Sequence, residues 1–310
     1  MKSHSSVIVL CGPTASGKSE LAVWLAEQLQ GEIISADSQQ VYCEMNIGTG
    51  KPTVELLQRV SHFGFDLVTS QESFHEAEFQ RYADEKIAQI QARSHVPLVV
   101  GGTGLYLRVL QYGLSEAPAR DVALRTQLLA RIAKEGSQAI FQALQAQDPV
   151  YAARIHPHDV TRMIRAMEIL HAGQMPSCVF AQHTAQTACY SMIKIGLQWD
   201  RAVLYARINQ RVEQMLEAGW LAEVRALLAK YGENLQAYKA VGYRELIQHL
   251  RGEITLEAAK AMIQQRTRNY AKRQLTWFRQ DAEIRWFEPQ DKEKILAVIL
   301  NKVKDLSACT

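Results

Sequence analysis

The residues best equipped for chemistry stand near the start of the chain, in the run Gly12-Pro13-Thr14-Ala15-Ser16-Gly17-Lys18-Ser19. Its two glycines let consecutive backbone N–H groups turn inward around phosphate oxygens, Lys18 supplies a point charge, and the Ser19 hydroxyl can hold Mg²⁺. The helix that the following residues predict would add its N-terminal dipole to the same anion site. Phosphate binding is therefore the first expectation. The loop alone does not choose between kinases, motor ATPases, GTPases and other users of the same cradle.

Five further groups could decide the chemistry. Asp37 opens DSQQVY at the end of an apolar run, where it is either a general base or an ordinary turn aspartate. Gly101-Gly102-Thr103-Gly104 lets a ligand approach backbone closely and offers the Thr103 hydroxyl, or is simply a tight turn. His156-Pro157-His158-Asp159 falls short of a tetrahedral metal set and reads better as the start of a helix, with Asp159 as cap. Arg162 and Arg165 then share one face of that helix, suited to phosphates or to ordinary salt bridges. Between residues 266 and 279, Arg266, Arg268, Lys272, Arg273 and Arg279 interleave with Tyr270, Trp277 and Phe278. That pattern could track an RNA backbone and stack on bases, or bury its aromatics in an amphipathic helix.

The elements that must position these groups are legible from hydrophobic periodicity. Short apolar runs at 7–11, 31–37 and 96–102 alternate with helical spacing in SELAVWLAEQL and EFQRYADEKIAQIQARS. Strands alternating with helices predict a parallel sheet, whose carboxyl edge would gather Gly12, Asp37 and Gly101 to Gly104. From about 117 to 190 the pattern is helical without strands, which reads as an insertion. A strand at 193–199 resumes the core, followed by long amphipathic helices, a short IRWF strand and a terminal helix. The expected divisions are 1–116 for the first part of the core, 117–190 for the insertion, and 191–310 for core completion and C-terminal helices.

At 310 residues, with 47% apolar and 22% charged residues, the chain can bury a large core and is no disordered or fibrous protein. No apolar run approaches the length of a membrane span, so a cytoplasmic protein with no membrane partner is expected. Five scattered cysteines suggest neither a disulfide framework nor a zinc knuckle. A net charge of +3 does not diagnose a nucleic-acid partner, because the placement of the charge decides.

Taken in order, GPTASGKS at 12–19, DSQQVY at 37–42, IGTGKP at 47–52, GGTGLYL at 101–107 and HPHDVTRMIRAME at 156–168 resemble the bacterial tRNA dimethylallyltransferase family, also called tRNA isopentenyltransferases. RINQRVEQMLEAG, KAVGYRE and TRNYAKRQLTWFR continue the resemblance over nearly the whole chain. It implies an α/β fold with a P-loop NTPase-like parallel sheet, an inserted all-helical domain that grips tRNA, and a helical C-terminal region. It also implies transfer of a dimethylallyl group from dimethylallyl diphosphate to the exocyclic amine of the adenosine just 3′ of the anticodon.

By the same resemblance, Gly12, Pro13, Thr14, Ala15, Ser16, Gly17, Lys18 and Ser19 hold the diphosphate and Ser19 the Mg²⁺ cofactor. Asp37 is the general base, Thr103 lines the reaction channel, and Arg211 meets the diphosphate. The tRNA anticodon stem-loop would contact Asp37, Ser38, Gln39, Gln40, Thr103, Arg125, Thr161, Arg162, Met163, Ile164, Arg165, Lys239, Ala240, Val241, Gly242, Tyr243, Arg244 and Arg273. A monomer is expected. The chain departs from the family pattern at Gly50, at His62-Phe63-Gly64-Phe65-Asp66, which stands where HHLID is common, and at Phe74-His75. Three rival readings remain at this point: a small-molecule kinase, an isopentenyltransferase of free adenine nucleotides, and a non-catalytic RNA-binding protein with a structural P-loop.

Overall fold

The computed structural model describes residues 6–114, 117–184, 188–233 and 235–308. Six strands form one sheet: β1 (Val7–Cys11), β2 (Gly31–Ser35), β3 (His62–Phe63), β4 (Val96–Gly101), β5 (Met192–Leu197) and β6 (Arg285–Phe287). All neighbours are parallel, in the order β3-β2-β4-β1-β5-β6. The expected α/β core is thus present, with one strand more than the periodicity predicts. β3 is two residues long and pairs only at the sheet edge, too short to leave an alternating pattern.

β1 is buried throughout, as a central parallel strand covered on both faces must be. Its alternate residues feed two cores. Val7, Val9 and Cys11 pack with Ile34, Val99, Phe79 and Ile87, whereas Ile8 and Leu10 pack with Leu21, Leu25, Ile195 and Ile295. The first face is covered by α3 (Glu76–Ala92) and α4 (Gly104–Tyr112), the second by α1 (Lys18–Leu29); the short α2 (Val54–Arg59) precedes β3.

The chain divides into two compact units, residues 1–111 with 190–310, and residues 112–189. The smaller unit holds α5 (Val122–Glu135), α6 (Ser137–Gln147), α7 (Pro149–Ala152), α8 (Val160–His171) and α9 (Pro176–Thr184) around Leu128, Ile140, Leu144, Met163 and Ile164, and no strand among its described residues. Residue 116, where the sequence predicts the first boundary, lies outside the described residues.

After β5 the larger unit continues as α10 (Arg201–Glu217), α11 (Trp220–Tyr231), a 3₁₀ turn at Gln236–Lys239, α12 (Tyr243–Leu250) and α13 (Leu256–Phe278). These helices build a third core with Val41, Tyr42 and Met45. β6 and α14 (Lys292–Ala308) then return to the sheet, where Ile295 and Ile299 join the α1 face. The aromatic and basic stretch at 266–279 is therefore the last part of α13, with Phe278 buried and Lys272, Arg273 and Arg279 exposed.

Candidate active site

Strand register decides what meets at the carboxyl edge. Cys11 lies beside Gly101 on one side and Gly196 on the other, while Ser35 lies beside Val100. One or two residues beyond those pairs come Gly12, Asp37 and Thr103, drawn from three separate parts of the sequence. The approach is tight: a Cβ on Gly101 would stand 2.1 Å from the Ala36 carbonyl oxygen. Backbone cannot retreat as a flexible side chain can, so Gly101→Ala is expected to cost about 2–3 kcal/mol, at the upper end of overpacking penalties. Chemical denaturation against the parent protein checks this.

The phosphate loop is held from outside. Trp199 Nε1 donates to the Ser16 carbonyl at 3.2 Å, and Arg207 Nε donates to the Ala15 carbonyl at 3.0 Å with its guanidinium 4.8 Å from the Trp199 ring centroid. Lys18 Nζ donates to the carbonyls of Gly12 (3.0 Å) and Pro13 (2.6 Å). Burial lowers the Lys18 pKa to about 8, with the nearby Arg211 acting in the same direction and Asp37 opposing it.

Asp37 makes a turn bond and also lines a cleft. Its Oδ1 accepts the Gln39 N–H at 2.9 Å, a turn bond, and its carboxylate lines a cleft with Lys18, Ser19, Ser35, Gln40 and Gly101. Burial pushes its pKa up, against the Gln39 N–H and the charge of Lys18, which pull it down. Ala22, Ile33, Pro52, Phe65 and Val100 give the same cleft an apolar wall.

Thr103 is fixed from the Asp37 side. Its Oγ1 accepts the Ser38 N–H at 3.0 Å and its own N–H reaches the Ala36 carbonyl at 3.2 Å. Gln40 accepts from Ser35 Oγ at 2.9 Å and donates to the Gly50 carbonyl at 3.0 Å. Arg211 Nη2 donates to that same carbonyl at 3.4 Å, and burial lowers its pKa while Asp37 raises it. Gly50, one of the departures from the family pattern, is thus where Arg211 rests.

Several of the residues expected at an RNA surface turn inward. Met163 and Ile164 are core residues of the smaller unit because the buried face of α8 carries them. Arg125 makes a two-pronged pair with the buried Glu168 (2.9 and 3.2 Å), and Arg165 meets Glu168 at 3.3 Å and the Pro118 carbonyl at 2.7 Å. Of that stretch, Thr161 and Arg162 are exposed. Asp159 caps α8 by accepting the Arg162 N–H at 3.1 Å, so His156 to Asp159 is a helix start. Among the described residues no group of three His, Cys, Asp or Glu is placed to hold a metal.

In the larger unit Ala240, Gly242 and Tyr243 are buried, with Tyr243 Oη donating to Glu223 at 2.7 Å, while Lys239 and Arg244 are exposed and Val241 is half-buried. On α13, Arg266 pairs with Glu245, and Arg268 donates to Asn209 Oδ1 at 2.7 Å. The five cations there therefore split into two engaged in internal pairs and three on the surface.

Two residues that sequence reasoning passes over organise the site. Glu223 accepts the N–H groups of Asn46 (2.7 Å), Ile47 (2.7 Å) and Gly48 (3.1 Å), anchoring the loop that carries Gly50. Gln274 accepts the Thr14 N–H and donates to the Gly102 carbonyl, both at 2.9 Å. The only sequence signal for Gln274 is a polar residue on the helical face that also carries Ala271 and Phe278, both buried.

Fold and site together define an α/β protein with a P-loop-like core in which Lys18 and Ser19 share one cleft with the half-buried Asp37. Residues 40–281 match the IPP transferase family. The chain is 47% identical over 292 residues, 94% of each sequence, to tRNA dimethylallyltransferase 2 of Syntrophus aciditrophicus. It superposes with a TM-score of 0.75 on the full-length tRNA isopentenylpyrophosphate transferase of Bacillus halodurans, at 38% identity over 98% of this chain and 99% of that one. A eukaryotic dimethylallyltransferase acting on tRNA gives a TM-score of 0.74 at 29% identity, over 88% of this chain and 69% of that one. The chain belongs to the IPP transferase family.

Proposed function

We propose that this chain transfers a dimethylallyl group from dimethylallyl diphosphate to the exocyclic N6 amine of the adenosine adjacent to the anticodon on its 3′ side in tRNA, releasing diphosphate and leaving N6-isopentenyladenosine. The observation that carries this reading is that Lys18 and Asp37 line one cleft, a cation for a departing anion and a carboxylate for a proton. Membership of the family and likeness to relatives named for this reaction support it.

In the reaction the donor's C1–O bond breaks and its electron pair leaves on the diphosphate. Backbone N–H groups of residues 15–19, Lys18 and Arg211 stabilise that growing charge. The adenosine nitrogen forms the new bond to C1 and gives up a proton, which the Asp37 carboxylate accepts. Thr103, tied to Ser38, orients the incoming amine beside Asp37. The apolar wall of the cleft receives the dimethylallyl tail and excludes water from it. Ser19 would hold Mg²⁺ through its hydroxyl, and the ion would neutralise phosphate charge. The Ser19 hydroxyl lines the cleft beside Lys18 and Asp37, an oxygen donor of the kind Mg²⁺ would take.

To expose its amine the adenosine leaves its stack. Of the surface cations, Lys239, Arg244, Lys272 and Arg273 of the larger unit hold the anticodon stem-loop by its phosphates, and Arg162 of the smaller unit is likewise exposed. Removing Arg273 or Lys272 is expected to lower the slope of log affinity against log salt by about 1 for each cation. Filter binding across a salt series reads this. Among the described residues no helix is long and apolar enough to cross a membrane. The setting proposed for the reaction is a cytoplasmic monomer working on tRNA.

The test incubates purified protein with Mg²⁺, dimethylallyl diphosphate and unmodified tRNA whose anticodon is followed by adenosine, with ATP replacing the diphosphate in a parallel reaction. The expected result is an isopentenyl-sized mass gain on that adenosine in the first reaction alone. ATP consumption without RNA modification would instead establish a kinase.

A further inference from the structure

The phosphate loop and the Gly101–Gly104 loop belong to different strands, yet one side chain touches both. Gln274, buried on α13, accepts the Thr14 N–H through Oε1 and donates through Nε2 to the Gly102 carbonyl. Its orientation follows from chemistry. Turned over, the amide would set its NH₂ against an N–H and its oxygen against a carbonyl, losing both bonds. Gly102 is shaped for this contact, since a Cβ there would stand 2.2 Å from Nε2. The residue beside Gly102 is Thr103, which binds Ser38 next to Asp37.

We propose that Gln274 is a positioning residue that sets the separation between the donor's leaving-group cradle and the acceptor side of the site. The inference rests on the reading of the loop as a diphosphate cradle and of Thr103 and Asp37 as the acceptor side. Both polar atoms of its amide are bonded to the two loops. Through Thr14 it fixes where the diphosphate sits, and through Gly102 it fixes the base of the loop that orients the amine. Transfer between two bound substrates depends steeply on the gap between reacting atoms, and a misplacement near 1 Å costs about 10²-fold. Losing the strap therefore acts on the chemical step more than on either binding step.

Three variants test this in the full chain, with single-turnover transfer rates, pyrophosphate affinity in Mg²⁺ and tRNA affinity measured on each. Gln274→Ala and the near-isosteric Gln274→Met remove both bonds. Each is expected to lower the single-turnover rate about 10²-fold while both dissociation constants stay within about 3-fold of wild type. Met fills the space of the missing amide, so it keeps the test alive if Ala does not fold.

Gln274→Glu adds a readout that packing alone does not move. Its neutral carboxylic acid can accept from Thr14 and donate to Gly102, whereas the ionised form cannot donate. Its rate relative to wild type is therefore expected to rise as pH falls through the pKa of the new carboxyl group.

Rates that fall only in step with the two affinities, or a Gln274→Glu to wild-type ratio flat with pH, would overturn the positioning role and leave the cradle standing. A wild-type protein that neither binds pyrophosphate nor transfers the prenyl group would overturn the cradle, and the positioning role with it.

Discussion

Asp37→Asn is expected to lower the single-turnover transfer rate by about 10²- to 10⁴-fold, the range a lost general base costs, with tRNA affinity within about 3-fold of the parent. Asparagine keeps an oxygen for the Gln39 N–H, so the turn beyond β2 survives while the proton acceptor is gone. The effect is large because an adenine amine has a delocalised lone pair and gains acidity only as the new bond forms. Burial has already raised the affinity of Asp37 for a proton, which strengthens it as a base. Mass spectrometry of digested tRNA reads the rate, and filter binding reads the affinity. Turnover at the parent level in this variant would remove Asp37 from the proton transfer.

Lys18→Ala is the second large effect. Removing a charge aimed at a leaving group in a buried site is expected to cost about 10²- to 10³-fold in kcat, with weaker binding of diphosphate. The pH profile follows from the same residue. Lys18 acts only as the cation, and its pKa in the free protein is lowered to about 8, so kcat/KM should fall as pH rises through that value. Bound diphosphate stabilises the cation, so the limb belongs to kcat/KM more than to kcat. On the acid side Asp37 must be ionised, and its raised pKa moves that limb upward from the ordinary aspartate range. Lys18→Arg stays charged and should lose the alkaline limb. A wild-type kcat/KM that is flat from pH 7 to 9 would contradict this account.

Much of this arrangement is legible from local pattern. The central strands are short apolar runs ending at glycine or aspartate, so periodicity and loop composition together indicate a phosphate loop facing Asp37 and Thr103. β3 escapes because two residues have no period. The inward turn of Met163, Ile164 and Tyr243 also escapes a motif-based reading. A motif marks which residues occur together, whereas burial depends on which face of the helix meets the core.

Arg125 and Arg165 show the same limit for charge. A basic residue in a motif can serve a buried Glu168 as readily as a phosphate, and nothing local separates the two. Glu223 and Gln274 act across separations of 177 and 260 residues, beyond the reach of any window along the chain.

That last separation has a consequence for how the protein is made. Ribosomes add about 5–20 residues per second, so Thr14 emerges roughly 10–50 s before its partner Gln274 is synthesised. β1 likewise waits for β5, which follows the whole of the smaller unit. During translation the phosphate loop exists without its strap, its sheet partner β5 and Arg211. The nascent chain therefore gains its activity late, when α13 docks, and a message truncated before residue 274 yields a loop with no competent enzyme around it.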